Sequence, residues 1–153
     1  MRIAPLAPIA LPAAAPTVRA AIALTMPPDP ERPTSDLRRF EKAIEFTSLV
    51  QTEVQTSVMR LHDAGMAAAA QWANFAEINT GQIFDQLQHV ARLANSPVLE
   101  QAHATADAAA VFAAEARAGR NADTFDVRAG QLLVQVRALA VAIAAIRDAQ
   151  PQR

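Results

Sequence analysis

A chain of 153 residues with a formal net charge of −1 holds one domain at most, or an elongated helical module with a tail. The charge balance, and the lack of any cluster of basic residues, leave nothing to attract nucleic acid. Cysteine is absent, which removes disulfides, thiolate metal sites and a cysteine nucleophile.

Apolar residues make up 52% of the chain, but 37 residues are alanine, against six Phe, one Trp and no Tyr. Alanine is the strongest helix former and buries little area. The chain therefore reads as all-α with a thin core: amphipathic helical hairpins or a four-helix bundle. Such helices pack closely, associate with other copies, or rest on something apolar.

Eight of the ten prolines lie in residues 5–33. Each removes a backbone donor and clashes one turn back, so the spacing in IAPLAPIALPAAAP forbids a continuous helix. Residues 1–33 read as a disordered Pro/Ala-rich arm. A cleaved signal peptide is the rival reading, with Arg2 and Ala13–Ala15 in its favour and Pro5 and Pro8 interrupting its apolar segment.

The helical domain is expected over 34–150. Thr34, Ser35 and Asp36 follow Pro33 and suit a helix start. Leu37, Phe40, Ile44, Val50, Val54, Val58 and Leu61 then recur mostly at three- and four-residue steps, which predicts an amphipathic helix over about 35–62, loosened or ended at Gly65. A second helix, about 67–94, carries Trp72, Phe75, Ile83, Leu87, Val90 and Ala94, with Gly81 inside it at a cost of about 1 kcal/mol relative to alanine. Asn95, Ser96 and Pro97 close it and open the next. Proline at a first helical position loses no needed bond and has a favourable φ, while the residue before it is pushed out of helical geometry. The third helix, about 97–118, is alanine-dominated. Gly119, Arg120 and Asn121 break it, and Asp123 is expected to cap the fourth, about 123–149. There Phe125, Ala129, Leu132, Val136, Leu139, Ile143 and Ile146 alternate steps of four and three, the pattern of a helix-on-helix seam. Val127, Val134 and Val141 add a second line spaced by seven, so the apolar stripe is wide enough for two neighbours or for one neighbour and another surface. The longest unbroken apolar run in this helix, Ala138 to Ile146, is shorter than the roughly 20 residues a span needs, so no transmembrane span is expected.

Catalytic signatures are missing. His62, His89 and His103 include no pair four residues apart on one helix, and no Gly-x-Ser-x-Gly, phosphate loop or dinucleotide fingerprint occurs. Glu41, Lys42 and Glu45 read as a solvated face. Trp72 with Phe75 suits either a packing knot or a stacking platform. Gln51, Gln55, Gln82, Gln86, Gln88, Gln101, Gln131 and Gln135 give the helices an uncharged polar face, which lowers repulsion between neighbouring copies. The chain is expected to be no enzyme and to need no cofactor or metal.

The run AAAAQWANFAEINTGQIFDQLQHVARLANSPVLEQAHATADAAAVFAAEARAG, residues 67–119, resembles the phasins, small helical proteins that coat polyhydroxyalkanoate storage granules in bacteria. The resemblance rests on Gln71-Trp72-Ala73, Phe84 and Leu87, the corner Leu93-Ala94-Asn95-Ser96-Pro97, then Leu99-Glu100-Gln101, Phe112 and Ala113, and covers about a third of the chain. It implies a cytoplasmic, granule-associated coat protein that self-associates and binds an apolar polymer surface without catalytic residues. Trp72, Phe75, Ile83, Phe84 and Leu87 would be the surface contacts. Phe125, Leu132, Val136, Leu139, Ile143 and Ile146 would form the oligomer seam. A second reading is a structural, inner-rod or needle-like subunit of a type III secretion apparatus. That reading draws on the proline-rich arm, the DLRRFEKAI helix start at 36–44 and the packing seam of the last helix.

Overall fold

A computed structural model describes residues 34–149 of the chain. The expected arm, residues 1–33, lies outside the described residues. Four helices follow in order: α1 (Thr34–Ala64), α2 (Met66–Gln88), α3 (Pro97–Arg117) and α4 (Phe125–Asp148). Among the described residues there is no strand, and the fold is all-α.

The helices run up and down around a square. Short links force antiparallel neighbours, and paired side chains show the register. On α1 and α2, Asn79 Nδ2 donates to both Glu53 carboxylate oxygens at 2.9 and 2.7 Å, and Arg39 reaches Gln86. Arg117 of α3 bonds Asn74 and Glu77 of α2. His62 and Gln51 of α1 meet Asp126 and Arg137 of α4. Each helix thus packs on two others, with α2 and α4 at opposite corners. The α3–α4 seam is the least extensive of the four.

The links explain the boundaries. Gly65 alone separates α1 from α2. Its φ of +95° and ψ of −178° suit only glycine, and its N–H closes onto the Arg60 and Leu61 carbonyls at 3.1 and 3.0 Å. The second helix ends at Gln88, short of the expected Ala94. Nδ1 of His89 donates to the Asp85 carbonyl at 2.7 Å, so a side chain takes an acceptor that a continuing helix would use. Val90 is then extended, and Ala91–Leu93 form one 3₁₀ turn across the end of the bundle. This turn buries Val90 and Leu93 and lays the Arg92 guanidinium 5.4 Å from the Phe40 ring centroid. Asn95 turns left-handed, and the Ser96 hydroxyl caps α3 by accepting from Leu99 N–H at 3.3 Å, with Pro97 at the first helical position. At the far end of α3, Gly119 is left-handed and Arg120 N–H reaches back to the Glu115 carbonyl at 3.0 Å, closing the last turn. Asp123 does not cap α4 as expected. It falls in a 3₁₀ turn, Ala122–Thr124, and the helix starts at Phe125 without a side-chain cap.

The core lies between all four helices. Phe40, Val50 and Val54 meet Ala69, Ala73, Ala76, Ile83 and Leu87, and the other half is built from Ala102, Ala109, Phe112, Ala113, Phe125, Leu132, Val136, Leu139 and Ile143. Large and small residues alternate across it. Alanine-lined stretches of α2 and α3 let backbones approach, and Phe112 stacks on Phe125 with centroids 4.5 Å apart. The buried hydroxyls close onto carbonyls: Thr47 onto Ile44, Thr80 onto Ala76 and Glu77, and Thr105 onto Gln101. Ser57 differs in crossing from α1 to α2, donating to the Ala69 carbonyl at 2.7 Å.

Candidate functional site

Burial or a close charged neighbour is what makes an ionisable group reactive. Each histidine sits beside one aspartate: His62 by Asp126 at 3.2 Å, His103 by Asp107 at 3.3 Å and His89 by Asp85 at 3.9 Å. All are exposed or half-buried pairs in three separate places, and His103 also rests edge-on against Phe84 at 5.3 Å. Among the described residues no three His, Cys, Asp or Glu side chains gather as a metal site would require. Glu53 has a pKa displaced from its ordinary value. Partial burial between α1 and α2 raises it, and the Asn79 amide partly offsets that by favouring the charged form. It is held inside a helix–helix contact by Asn79, so its setting is that of a packing group.

What remains is apolar surface. The first eleven residues of α2, Met66–Ala76, carry no charge. Their core side is alanine, so their large side chains stand outside. Phe75 is 47% exposed and Ile78 58%, with half-buried Trp72 edge-on to Phe75 at 5.4 Å. Gln71 and Gln82 extend this line at steps of three and four, and both are exposed. The nearby charge, Glu77, is tied to Arg117 at 3.0 Å. The result is a neutral, aromatic-centred strip along the outer face of α2.

Only part of the expected contact set lies on that strip. Trp72 and Phe75 are there. Ile83 and Leu87 are fully buried in the core, where they face α1 and α3, so they are not surface contacts in this fold. Phe84 is half-buried in the α2–α3 groove against His103. Ile78, which the sequence reading passed over, completes the strip. Its i+3 spacing from Phe75 was the available signal. No family model matches the chain, and no curated protein or solved structure matches it.

The expected oligomer seam also moves. Phe125, Leu132, Val136, Leu139 and Ile143 are buried in the bundle's own core, and Ile146 packs at its edge. Their four-three periodicity is satisfied within one chain, by α1 and α3. The other line on this helix stays outside: Val127, Val134 and Val141 are 61, 65 and 71% exposed. The residues Ala122–Asp148 are also long and apolar enough to cross a bilayer by length and composition, which the count of unbroken apolar residues did not anticipate because it stopped at Arg137.

Proposed function

We propose that this chain is a non-enzymatic coat protein of the cytoplasm that adheres to polyhydroxyalkanoate granules through the outer face of α2. The observation that carries this reading is the neutral strip centred on Trp72, Phe75 and Ile78, a set of large apolar groups left uncovered by a bundle whose core is otherwise filled. A polyester surface has no anionic headgroups, so a face without cations suits it better than it suits a lipid bilayer. About half of Phe75 and Ile78 is uncovered, roughly 200 Å² together, or about 5 kcal/mol of gross transfer free energy before the cost of immobilisation. A single copy then holds on only weakly, and adhesion of the layer builds up from many copies side by side.

The test is sedimentation with polyhydroxybutyrate particles. The full chain is expected to pellet with them, and the double variant Phe75→Gln/Ile78→Gln to stay in the supernatant with its helical circular dichroism unchanged. Equal pelleting of both forms, or of neither, overturns the proposal.

A further inference from the structure

Two glutamines stand in the middle of the outer face of α2. Gln71, Phe75, Ile78 and Gln82 are all exposed and follow one another at steps of four, three and four. At 3.6 residues per turn they share an arc of about 60°, along about 16 Å of helix. Phe75 and Ile78 mark the two sides of that arc, and both glutamines project between them. A flat surface that covers the two apolar side chains therefore covers the two carboxamides as well.

The other amides of this helix are already engaged. Asn79, on the α1 side, gives its N–H groups to Glu53 at 2.9 and 2.7 Å, and Asn74, on the α3 side, accepts from Arg117. Further along, Gln86 accepts from Arg39, and Gln88 donates to Asp85 at 3.1 Å. Among the described residues nothing bonds the side chain of Gln71 or Gln82, so the two amides in line with the apolar groups are the ones left to an outside partner. No charged side chain lies between them in the arc. Asp85 ends the strip one turn beyond Gln82, with Gln88 and His89 beside it.

We propose that Gln71 and Gln82 make the strip selective for a polyester over a hydrocarbon, by donating hydrogen bonds to ester carbonyls at the polymer surface. The inference rests on the granule-coat reading and adds the chemistry that the surface must carry. A carboxamide pressed against hydrocarbon loses its water and gains no partner, at a cost of about tenfold or more in affinity for each side chain. A polyester supplies the partner, because each repeating unit carries a carbonyl acceptor. The glutamine amide brings two donors to it. Only the glutamine carbonyl is then left without a partner, where hydrocarbon would leave all three polar sites bare. Lysine or glutamate at these positions would add the far larger cost of desolvating a charge, so an uncharged donor is the residue type such a contact allows. Phospholipid esters offer the same acceptor, but beneath a charged headgroup layer that this neutral face has no cation to engage.

Sedimentation with particles of matched surface area tests it, comparing polyhydroxybutyrate with paraffin and with phosphatidylcholine vesicles. The full chain is expected to bind polyhydroxybutyrate at least about tenfold more tightly than paraffin. Q71L/Q82L is expected to keep its helical circular dichroism and to bind the two particles about equally. Leucine adds apolar area against both, so the ratio of the two affinities is the readout, and apolar area alone would leave that ratio unchanged. Pelleting of the full chain with neither particle overturns the granule reading and this inference together. Equal binding of the full chain to both particles, or a preference that Q71L/Q82L retains, overturns this inference alone. So does tighter binding to the vesicles than to the polyester, since the acceptors would then be those of a lipid.

Discussion

Phe125→Ala strikes the α3–α4 seam, the least extensive contact of the bundle. Phe125 is 1% exposed and stacks on Phe112 at 4.5 Å with ring planes 25° apart, at the first residue of α4. An aromatic ring buries about 150–250 Å², so truncation forfeits about 4 kcal/mol in transfer free energy and leaves a cavity beside Phe112 that the surrounding alanines cannot fill. A bundle of this size has about 6–15 kcal/mol in total, so about a quarter to two-thirds of it goes. Urea unfolding followed by circular dichroism should show a midpoint roughly 2 M lower at unchanged slope. Gln135→Ala, an exposed change on the same helix, should stay within about 0.5 kcal/mol of the parent. A loss below about 1 kcal/mol for F125A, or one no larger than that of Q135A, would refute the placement of α4 against α3.

Three further outcomes follow from local geometry. Gly65→Ala should cost about 1–3 kcal/mol, read as a fall in Tm, because the backbone there occupies a region closed to a Cβ. Ser96→Ala should cost about 1 kcal/mol by freeing the Leu99 N–H, and Ser96→Asp should retain most of the cap. Glu53 has a native pKa raised above its unfolded value, so the native state holds the proton more tightly and stability falls as pH rises from near 4.5 through the raised value. Glu53→Gln should remove that component of the pH profile and leave the chain more stable than the parent at neutral pH. A parent and variant with parallel profiles between pH 4 and 7 would count against burial as the cause.

Periodicity exposed the elements and much of the core. The four-three order of Phe125 through Ile143 marked a packed face, and Ser96-Pro97 marked the corner, because both signals are local in the chain. What periodicity does not contain is the identity of the covering partner. The same pattern serves a seam between copies or between helices of one copy, and here α1 and α3 supply the cover. On α2 the misreading has a different cause. Alanine at 69, 73 and 76 fills the narrow interior, so side-chain size ceases to distinguish inside from outside. Phe75 then stands in solvent while Ile83, two turns on, is sealed. The early end of α2 at His89 depended on a side-chain-to-carbonyl bond that competes with the helix only once the ring is turned, and Asp123 lost its expected capping role to a 3₁₀ turn.

The single-residue elbow at Gly65 also bears on the order in which the protein is made. With almost no slack to close, α1 and α2 meet through contacts of low sequence separation, including the Ser57–Ala69 bond close to the bend. Such a hairpin is expected to form before α4 has been synthesised, with one flank then bare. Until the last two helices arrive, the apolar side chains that this pair turns inward, Val50, Val54, Ile83 and Leu87 among them, lack part of the cover the finished bundle gives them.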